Sequence, residues 1–216
     1  MTKLVIFDCD GVLIDSEGIA CAADAQALTA NGYSITTEQM AARFAGVPYK
    51  AVYATIEAET GRALPLDLKN QVRKTILKKY RTELQAIPGA AEVLAAVTLP
   101  KCVASSSDPS KLALGLVETG LYDLVYPHIF SAALVDRGKP HPDIFLYAAA
   151  RMGISPRDCL VIEDSVAGAT AARAAEMRCV GFTGGSHCGP GHADRLRDAG
   201  VTRVIAWLED LLDELG

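Results

Sequence analysis

Two aspartates, Asp8 and Asp10, directly follow a short apolar run at residues 4–7. Side chains two residues apart on an extended chain point to the same side, so both carboxylates should share the space just beyond a strand. Gly11 then permits a tight change of chain direction. Two carboxylates this close repel each other unless a cation or a proton lies between them. The segment therefore indicates an acidic ligand site or, more simply, a chain that reaches solvent where its strand ends.

A second acidic pair, Glu163 and Asp164, follows another apolar run at residues 160–162. Alone this pair is weak evidence, because an acid at a strand end or a helix N-cap is common. Two acidic strand ends in one sheet are more informative, because together they supply the hard oxygen ligands that Mg²⁺ prefers. We therefore expect the two pairs to meet and to bind Mg²⁺.

A hydroxyl group and a lysine could complete a phosphate site. Ser105 begins a run of three serines after the apolar residues 102–104, where a hydroxyl can donate to a phosphoryl oxygen. Chemistry alone does not decide which of the three serines does so. Lys139 lies in a proline-restrained loop, Gly-Lys-Pro-His-Pro-Asp, which holds it in place at low entropic cost. Its charge would offset the acids and bind phosphate as a point charge.

The scaffold that positions these residues can be inferred from short, continuous apolar runs, which are typical of strands buried on both faces. Helical patterns separate most of these runs. One begins at Asp108-Pro109, an N-cap followed by proline, and ends before Gly120. Alternating strands and helices predict an α/β fold with a doubly wound parallel sheet. The predicted strands are residues 4–7, 102–104, 128–131, 160–162, 179–182 and 204–206.

One interval is too long for a simple crossover, which needs only a dozen or more residues. Between Gly11 and Lys101 the sequence shows helical signals, including a capping box at Thr36-x-x-Gln39. We predict an inserted helical bundle at residues 16–83, and an α/β catalytic core formed by residues 1–15 and 84–216. Such an insertion can close over a site and exclude water from it.

Four motifs occur in order along the chain: Asp-x-Asp-Gly-Val, a serine after the second strand, Gly-Lys-Pro-x-Pro-Asp and Glu-Asp-Ser. Together they resemble the haloacid dehalogenase superfamily, in the branch that carries a helical cap inserted after the first motif. That branch includes β-phosphoglucomutase and many sugar-phosphate phosphatases. The resemblance implies a Rossmann-like α/β core with an inserted all-helical cap domain, and phosphatase activity on a small phosphorylated metabolite.

The resemblance also implies roles for the acids. Asp8 would attack phosphorus and form a phosphoaspartyl intermediate. Asp10 would protonate the leaving oxygen and then take a proton from the hydrolytic water. Mg²⁺ would be held by the Asp8 carboxylate, the Asp10 backbone carbonyl and Asp164, with Glu163 binding it directly or through another ligand.

The other site residues follow from the same resemblance. Ser105 aligns with the family's hydroxyl motif and Lys139 with its lysine, and both would stabilise charge on the transferring phosphoryl group. Substrate contacts are expected from the next serine and from the insertion. The residues expected to make them are Ser106, Arg43, Gly46 and Lys50.

Three alternatives to a phosphatase can be weighed. A dehalogenase is disfavoured, because a displaced halide needs no protonation and the relatives with that activity lack an acid at the position of Asp10. A phosphosugar mutase stays open, although Ala20 stands where β-phosphoglucomutase has a histidine on its cap. A non-catalytic module that kept the phosphate pocket is the remaining alternative, and intact motifs argue against it.

Composition restricts the partners. The formal net charge of −5 offers no basic footprint for nucleic acid, and no apolar stretch is long enough for a membrane span. The six cysteines form no Cys-x-x-Cys pair, so we expect reduced thiols in a cytoplasmic protein. A chain with a core and a cap is expected to be a monomer. His187, Cys188 and His192 lie in a glycine-rich segment whose spacing matches no zinc pattern. We expect this segment to be a flexible loop that borders the active-site crevice.

Overall fold

The computed structural model describes residues 1–44, 47 and 49–215, and its centre is a six-stranded, entirely parallel sheet. The strand order is β3-β2-β1-β4-β5-β6, so the first strand lies in the middle of the sheet. The predicted α/β fold is therefore confirmed. The strands are β1 Leu4–Phe7, β2 Lys101–Ser105, β3 Ile129–Ser131, β4 Cys159–Glu163, β5 Arg178–Phe182 and β6 Arg203–Ile205.

Helices cover both faces of the sheet and fill the long interval between β1 and β2. None of the described helices is both long and apolar enough to cross a membrane. The α-helices are α1 Glu17–Ala30, α2 Thr37–Phe44, α3 Tyr49–Thr60, α4 Leu68–Glu83, α5 Ala90–Ala96, α6 Pro109–Glu118, α7 Tyr122–Val125, α8 Asp143–Met152, α9 Val166–Ala174 and α10 His192–Asp198. Short 3₁₀ helices lie at Ala132–Leu134, Pro156–Asp158 and Leu208–Glu214.

The first strand shows why the sheet is buried on both faces. Its four residues are fully buried, and successive side chains point to opposite faces. Val5 and Phe7 pack in one apolar cluster, whereas Leu4 and Ile6 pack in the cluster on the other face. An apolar strand of this kind is held firmly, so the polar residues that follow it begin from a fixed position.

The helix after β2 begins as its sequence predicts. The Asp108 side chain caps α6 by accepting hydrogen bonds from the backbone N–H groups of Ser110 and Lys111, and Pro109 occupies the first turn. Arg73 of α4 also forms an ion pair with Asp108, at 3.0 Å. The start of α6 is therefore held both by its own cap and by a helix of the insertion.

The insertion consists of α1 to α4. The predicted capping box at the start of α2 is present, because Thr36 Oγ accepts from the Gln39 N–H and the Gln39 side chain accepts from the Thr36 N–H. The first helices bury their own apolar cluster around Leu28 and Ile56. The later turns of α4 instead pack in the cluster of the sheet, through residues that include Tyr80. The division into a core and a cap domain at residues 16–83 stays a prediction.

Candidate active site

Three neighbouring strands bring the predicted site residues together. The strand β1 lies between β2 and β4, and all three run in the same direction. Asp8 follows β1, Ser105 ends β2 and Glu163 ends β4, so all three lie at the same edge of the sheet. Ligands of open α/β sheets bind at this edge.

Lys139 connects this edge to the loop before α8. Its ammonium donates to Asp8 Oδ1 at 2.6 Å, to Glu163 Oε1 at 2.6 Å and to the backbone carbonyl of Ala104 at 3.0 Å. Burial alone would lower the pKa of Lys139, but the two carboxylates raise it above its ordinary value. The lysine is therefore a buried cation that fixes the position of Asp8 relative to β2 and β4.

Asp8, Glu163 and Asp164 form a buried carboxylate cluster. One oxygen from each of the three lies within 4.8 Å of the others. Burial, reinforced by the charges of Glu163 and Asp164, raises the pKa of Asp8 well above its ordinary value although Lys139 opposes the shift. Converging hard oxygen donors with excess negative charge are what a divalent cation such as Mg²⁺ requires. The residues of this cluster therefore fit the ion.

Glu163 already has partners for both of its oxygens. Oε1 accepts from Lys139, and Oε2 accepts from the backbone N–H and the hydroxyl of Ser165 at the start of α9. A Cβ at Gly168 would lie 1.8 Å from Oε1, so only glycine leaves room for this carboxylate. These contacts favour a role for Glu163 in holding Lys139, and direct binding of the ion stays a prediction.

Asp10 lies beside the cluster and accepts an unusual number of hydrogen bonds. Ser16 and Lys111 donate to Oδ1 at 2.6 and 2.9 Å, and Ser107 donates to Oδ2 at 2.5 Å. Tyr80 of α4 donates to Oδ1 at 3.3 Å. Burial would raise the pKa of Asp10, but Lys111 and the hydroxyl donors lower it to about 2.

The three serines after β2 have different environments. Ser105 is fully buried, and its hydroxyl lies 3.5 Å from Asp10 Oδ2 while accepting from the Ser107 N–H at 3.0 Å. Ser106 is exposed. Ser107 contacts Asp10 more closely than Ser105 does. The structure thus brings Ser105 and Ser107 to the acids, and the substrate contact expected of Ser106 stays a prediction.

Lys111 is a site residue that the sequence analysis missed. It lies in the first turn of α6, its side chain is only 19% exposed, and its ammonium contacts Asp10 and lies 5.7 Å from the centre of the Tyr80 ring. The sequence contained a signal for Lys111, because a residue in the first turn of a helix that follows a sheet strand faces the ligand crevice. Lys111 therefore adds a positive charge beside Asp10, on the side of the site that faces α4.

Two of the residues expected to contact substrate from the insertion, Arg43 and Lys50, are described by the structure and are not in the carboxylate cluster. Arg43 forms an exposed ion pair with Glu59 and also donates to the Tyr33 hydroxyl. Lys50 is exposed at the start of α3. Gly46 lies outside the described residues. Their proposed contacts with substrate stay predictions.

The glycine-rich segment after β5 lies directly against the carboxylate cluster. His187 Nε2 lies 2.9 Å from Asp164 Oδ2, and His192 Nε2 lies 2.5 Å from the Asp164 backbone oxygen. Ser186 donates from its hydroxyl to Asp15, at 2.7 Å. The segment therefore lies against the carboxylate cluster, and two of its side chains contact the carboxylate and the backbone of Asp164. Its expected flexibility stays a prediction.

Replacing Lys139 with methionine should lower the free energy of unfolding by about 3–5 kcal/mol when no divalent cation is present, because two buried carboxylates lose their shared partner. Mg²⁺ should restore part of that loss by supplying positive charge to the same acids. Urea unfolding of the variant in EDTA and in Mg²⁺ measures both effects.

Lys3→Met provides the matched control, because Lys3 pairs with Asp158 through a side chain that is 62% exposed. Its loss should be at most about 1 kcal/mol, with no dependence on Mg²⁺. Equal losses for the two variants would contradict the structural role given to Lys139.

Comparisons with known proteins agree with this geometry. The family model described as haloacid dehalogenase-like hydrolase matches residues 2–176. The chain is 30% identical to the 6-phosphogluconate phosphatase of Escherichia coli over 189 residues, which are 87% of this chain and 86% of that protein.

Two solved structures have the same fold over almost the whole chain. A conserved haloacid dehalogenase-like protein of unknown function from Agrobacterium tumefaciens is 43% identical, with a TM-score of 0.92 and coverage of 100% of this chain and 98% of that one. A HAD family hydrolase from Deinococcus radiodurans, solved with bound phosphate and sodium, is 33% identical. Its TM-score is 0.83, with coverage of 99% of this chain and 95% of that one.

Proposed function

The chain belongs to the haloacid dehalogenase-like hydrolases, and on this premise we propose that it is a Mg²⁺-dependent phosphomonoester hydrolase with Asp8 as its nucleophile. The observation that carries the proposal is the meeting of Asp8 with Lys139, Glu163 and Asp164 at one buried edge of the sheet. A carboxylate can attack phosphorus when nearby cations offset its negative charge and its position is fixed.

We propose that Mg²⁺ is held by Asp8 and Asp164 together with the backbone carbonyl of Asp10, with Glu163 close by. When bound, the ion neutralises charge on the transferring phosphoryl group and on the nucleophile. Lys139 adds a fixed positive charge next to Asp8, and we propose that the Ser105 hydroxyl, which lies 3.5 Å from Asp10 Oδ2, donates to a phosphoryl oxygen. These groups stabilise a transition state whose charge lies on the phosphoryl oxygens.

The reaction then has two steps. In the first, an Asp8 oxygen forms a bond to phosphorus, the bond from phosphorus to the ester oxygen breaks, and Asp10 gives that oxygen a proton. In the second, water attacks the phosphoaspartate, Asp10 takes a proton from the water, and Asp8 is released with inorganic phosphate. One residue thus acts first as general acid and then as general base.

Asp10 must gain a proton before the first step, whereas its contact with Lys111 favours the ionised form. An anionic substrate that draws the Lys111 ammonium toward itself would reduce this obstacle and raise the pKa of Asp10, while the Ser16 and Ser107 hydroxyls would still favour the ionised form. We propose that the substrate is a small sugar phosphate or sugar-acid phosphate, in keeping with the 6-phosphogluconate phosphatase to which the chain is similar. A carboxylate or other anionic group on the departing sugar would form an ion pair with the Lys111 ammonium.

Lys111→Met should therefore reduce discrimination between 6-phosphogluconate and the neutral-bodied sorbitol 6-phosphate, mainly by raising KM for the sugar acid. A loss of about tenfold in the ratio of the two kcat/KM values corresponds to one charged hydrogen bond. Steady-state kinetics on both substrates give this ratio. Lys78→Met, at an exposed position of α4, is the control and should leave it unchanged. An unaltered ratio in Lys111→Met would contradict a role for Lys111 in recognising the leaving portion.

The proposed function is tested by incubating the purified protein with p-nitrophenyl phosphate and with acetyl phosphate, in Mg²⁺ and in EDTA. We expect hydrolysis of both esters in Mg²⁺ and its loss in EDTA. An absence of metal-dependent turnover on these esters and on a broad set of phosphorylated metabolites would favour a non-catalytic phosphate-binding module instead.

A phosphosugar mutase is less well supported by the position of Ala20. This residue lies in the first turns of α1 and packs against the apolar cluster of the sheet, so it offers no group that could move a proton. Water is then the final acceptor of the phosphoryl group. Release of inorganic phosphate from β-glucose 1-phosphate, without formation of glucose 6-phosphate, would distinguish the two activities.

A further inference from the structure

We propose that His187, Cys188 and His192 form a second metal site, suited to a borderline-soft divalent ion such as Zn²⁺, beside the carboxylate cluster. One ring nitrogen from each histidine and the Cys188 sulfur all lie within 4.8 Å of one another. Two imidazoles and a thiolate are a donor set that Zn²⁺ prefers over hard cations. This site adjoins the all-oxygen cluster proposed to hold Mg²⁺ and differs from it in its nitrogen and sulfur donors.

The separation of the donor atoms fits a single ion. An ion with tetrahedral bonds of about 2.3 Å to sulfur and about 2.0–2.1 Å to nitrogen separates these two ligand atoms by about 3.5 Å. Cys188 Sγ lies 3.4 Å from His187 Nε2. The Asp164 Oδ2 atom, 2.9 Å from the same nitrogen, is in position to provide a fourth donor.

The His187 ring occupies a space that two glycines leave open. A Cβ at Gly185 would lie 2.8 Å from His187 Cε1, and a Cβ at Gly11 would lie 2.9 Å from the same atom. Both contacts are closer than ordinary side-chain packing permits. The loop that follows β1 and the loop that follows β5 therefore close tightly around this ring.

The second histidine is held as metal-binding histidines commonly are. His192 Nε2 lies 2.5 Å from the Asp164 backbone oxygen, which can only accept, so Nε2 carries the proton and Nδ1 has the free electron pair. A ring nitrogen that donates to a backbone carbonyl orients the other nitrogen for a metal ion. Arg195 now donates to Nδ1 at 3.0 Å, and a metal ion bound there would displace this side chain.

Cys188 Sγ lies against His187 Nε2, the same nitrogen that contacts the Asp164 carboxylate. Its sulfur lies close to a ring nitrogen of both histidines, and the residue is partly exposed, which gives an ion a path of entry. A Zn²⁺ ion at this place would share Asp164 with the proposed Mg²⁺ site. We therefore expect it to inhibit phosphate release, a consequence that rests on the proposed function.

The metal site can be tested without measuring activity, by adding Co²⁺ to the purified full chain in the presence of excess Mg²⁺. Thiolate bound to Co²⁺ gives a charge-transfer absorption band in the near ultraviolet. We expect the band in the wild type and in Cys179→Ser, the control at a partly exposed cysteine outside the cluster, and we expect no band in Cys188→Ser. Competition by Zn²⁺ should remove it, and Cys188→Ser should bind Zn²⁺ at least about tenfold more weakly.

The absence of a band in the wild type, or its persistence in Cys188→Ser, would overturn the proposal. His192→Asn provides a second variant and should also lose the band while Cys188 remains. Inhibition by Zn²⁺ is measured separately, and Cys188→Ser should need at least about tenfold more Zn²⁺ for the same inhibition. An intact band in a protein without phosphatase activity would support the metal site while contradicting the proposed function.

Discussion

Asp8→Asn is expected to lower the turnover of every phosphate ester by about 10⁴-fold or more, because an amide cannot attack phosphorus. Asp8 is the only predicted nucleophile, and it lies 2.6 Å from the Lys139 ammonium at the centre of the carboxylate cluster. The remaining contact of Lys139 with Glu163 should keep the variant folded. Hydrolysis of p-nitrophenyl phosphate in Mg²⁺ measures the loss, and circular dichroism checks the fold.

Asp158→Asn is the matched control for this substitution. Asp158 forms a surface pair with Lys3 just before β4, at the end of that strand opposite Glu163, so its loss should leave turnover within about twofold of the wild type. Retention of substantial turnover by Asp8→Asn, with the control unaffected, would exclude Asp8 as the nucleophile.

Asp10→Asn is expected to lower kcat by about 10²–10⁴-fold, because the variant loses proton transfer while it keeps the groups that hold phosphate. The effect should differ between the two steps. A p-nitrophenolate leaving group needs no proton, so Asp8 can still be phosphorylated, whereas water attack lacks its general base. Rapid mixing with p-nitrophenyl phosphate should show a burst of one nitrophenolate per enzyme, followed by slow turnover.

An alkyl phosphate should give no burst with this variant, because its leaving oxygen requires the proton that Asp10 supplies. Asp15→Asn is the control within the same segment. The Asp15 side chain accepts from Ser186 and has no contact with Asp10 among the described hydrogen bonds, so normal kinetics are expected. Full activity of Asp10→Asn on an alkyl phosphate would show that the acid and base role belongs to another residue.

Local sequence signals predicted most of the scaffold. The six strands follow from apolar runs, since the central residues of a strand buried on both faces are almost all apolar. The start of α6 at Asp108-Pro109 and the capping box at Thr36 follow from hydrogen bonds between near neighbours, which the sequence specifies directly. The convergence of Asp8, Lys139 and Asp164 also follows, because parallel strands end at a common edge.

Local sequence signals could not predict the contacts between residues that are far apart in the chain. Lys111 contacts Asp10 across 101 residues, and Tyr80 contacts it across 70, through the packing of α6 and α4. The sequence alone could not select Ser107 as the closest serine to Asp10, because that choice depends on how the chain turns after β2. The approach of His187 to Asp164 likewise depends on the close fit of Gly11 and Gly185.

The proposed reaction depends on a covalent bond between phosphorus and the Asp8 carboxylate, and trapping that bond tests it most directly. Asp10→Asn mixed with p-nitrophenyl phosphate in Mg²⁺ should accumulate the phosphoaspartate, which borohydride reduces to homoserine. Peptide mass spectrometry should then find homoserine at position 8, and find none in the same treatment without substrate. Modification of a different residue, or an unmodified position 8 in a sample that shows the nitrophenolate burst, would contradict the account.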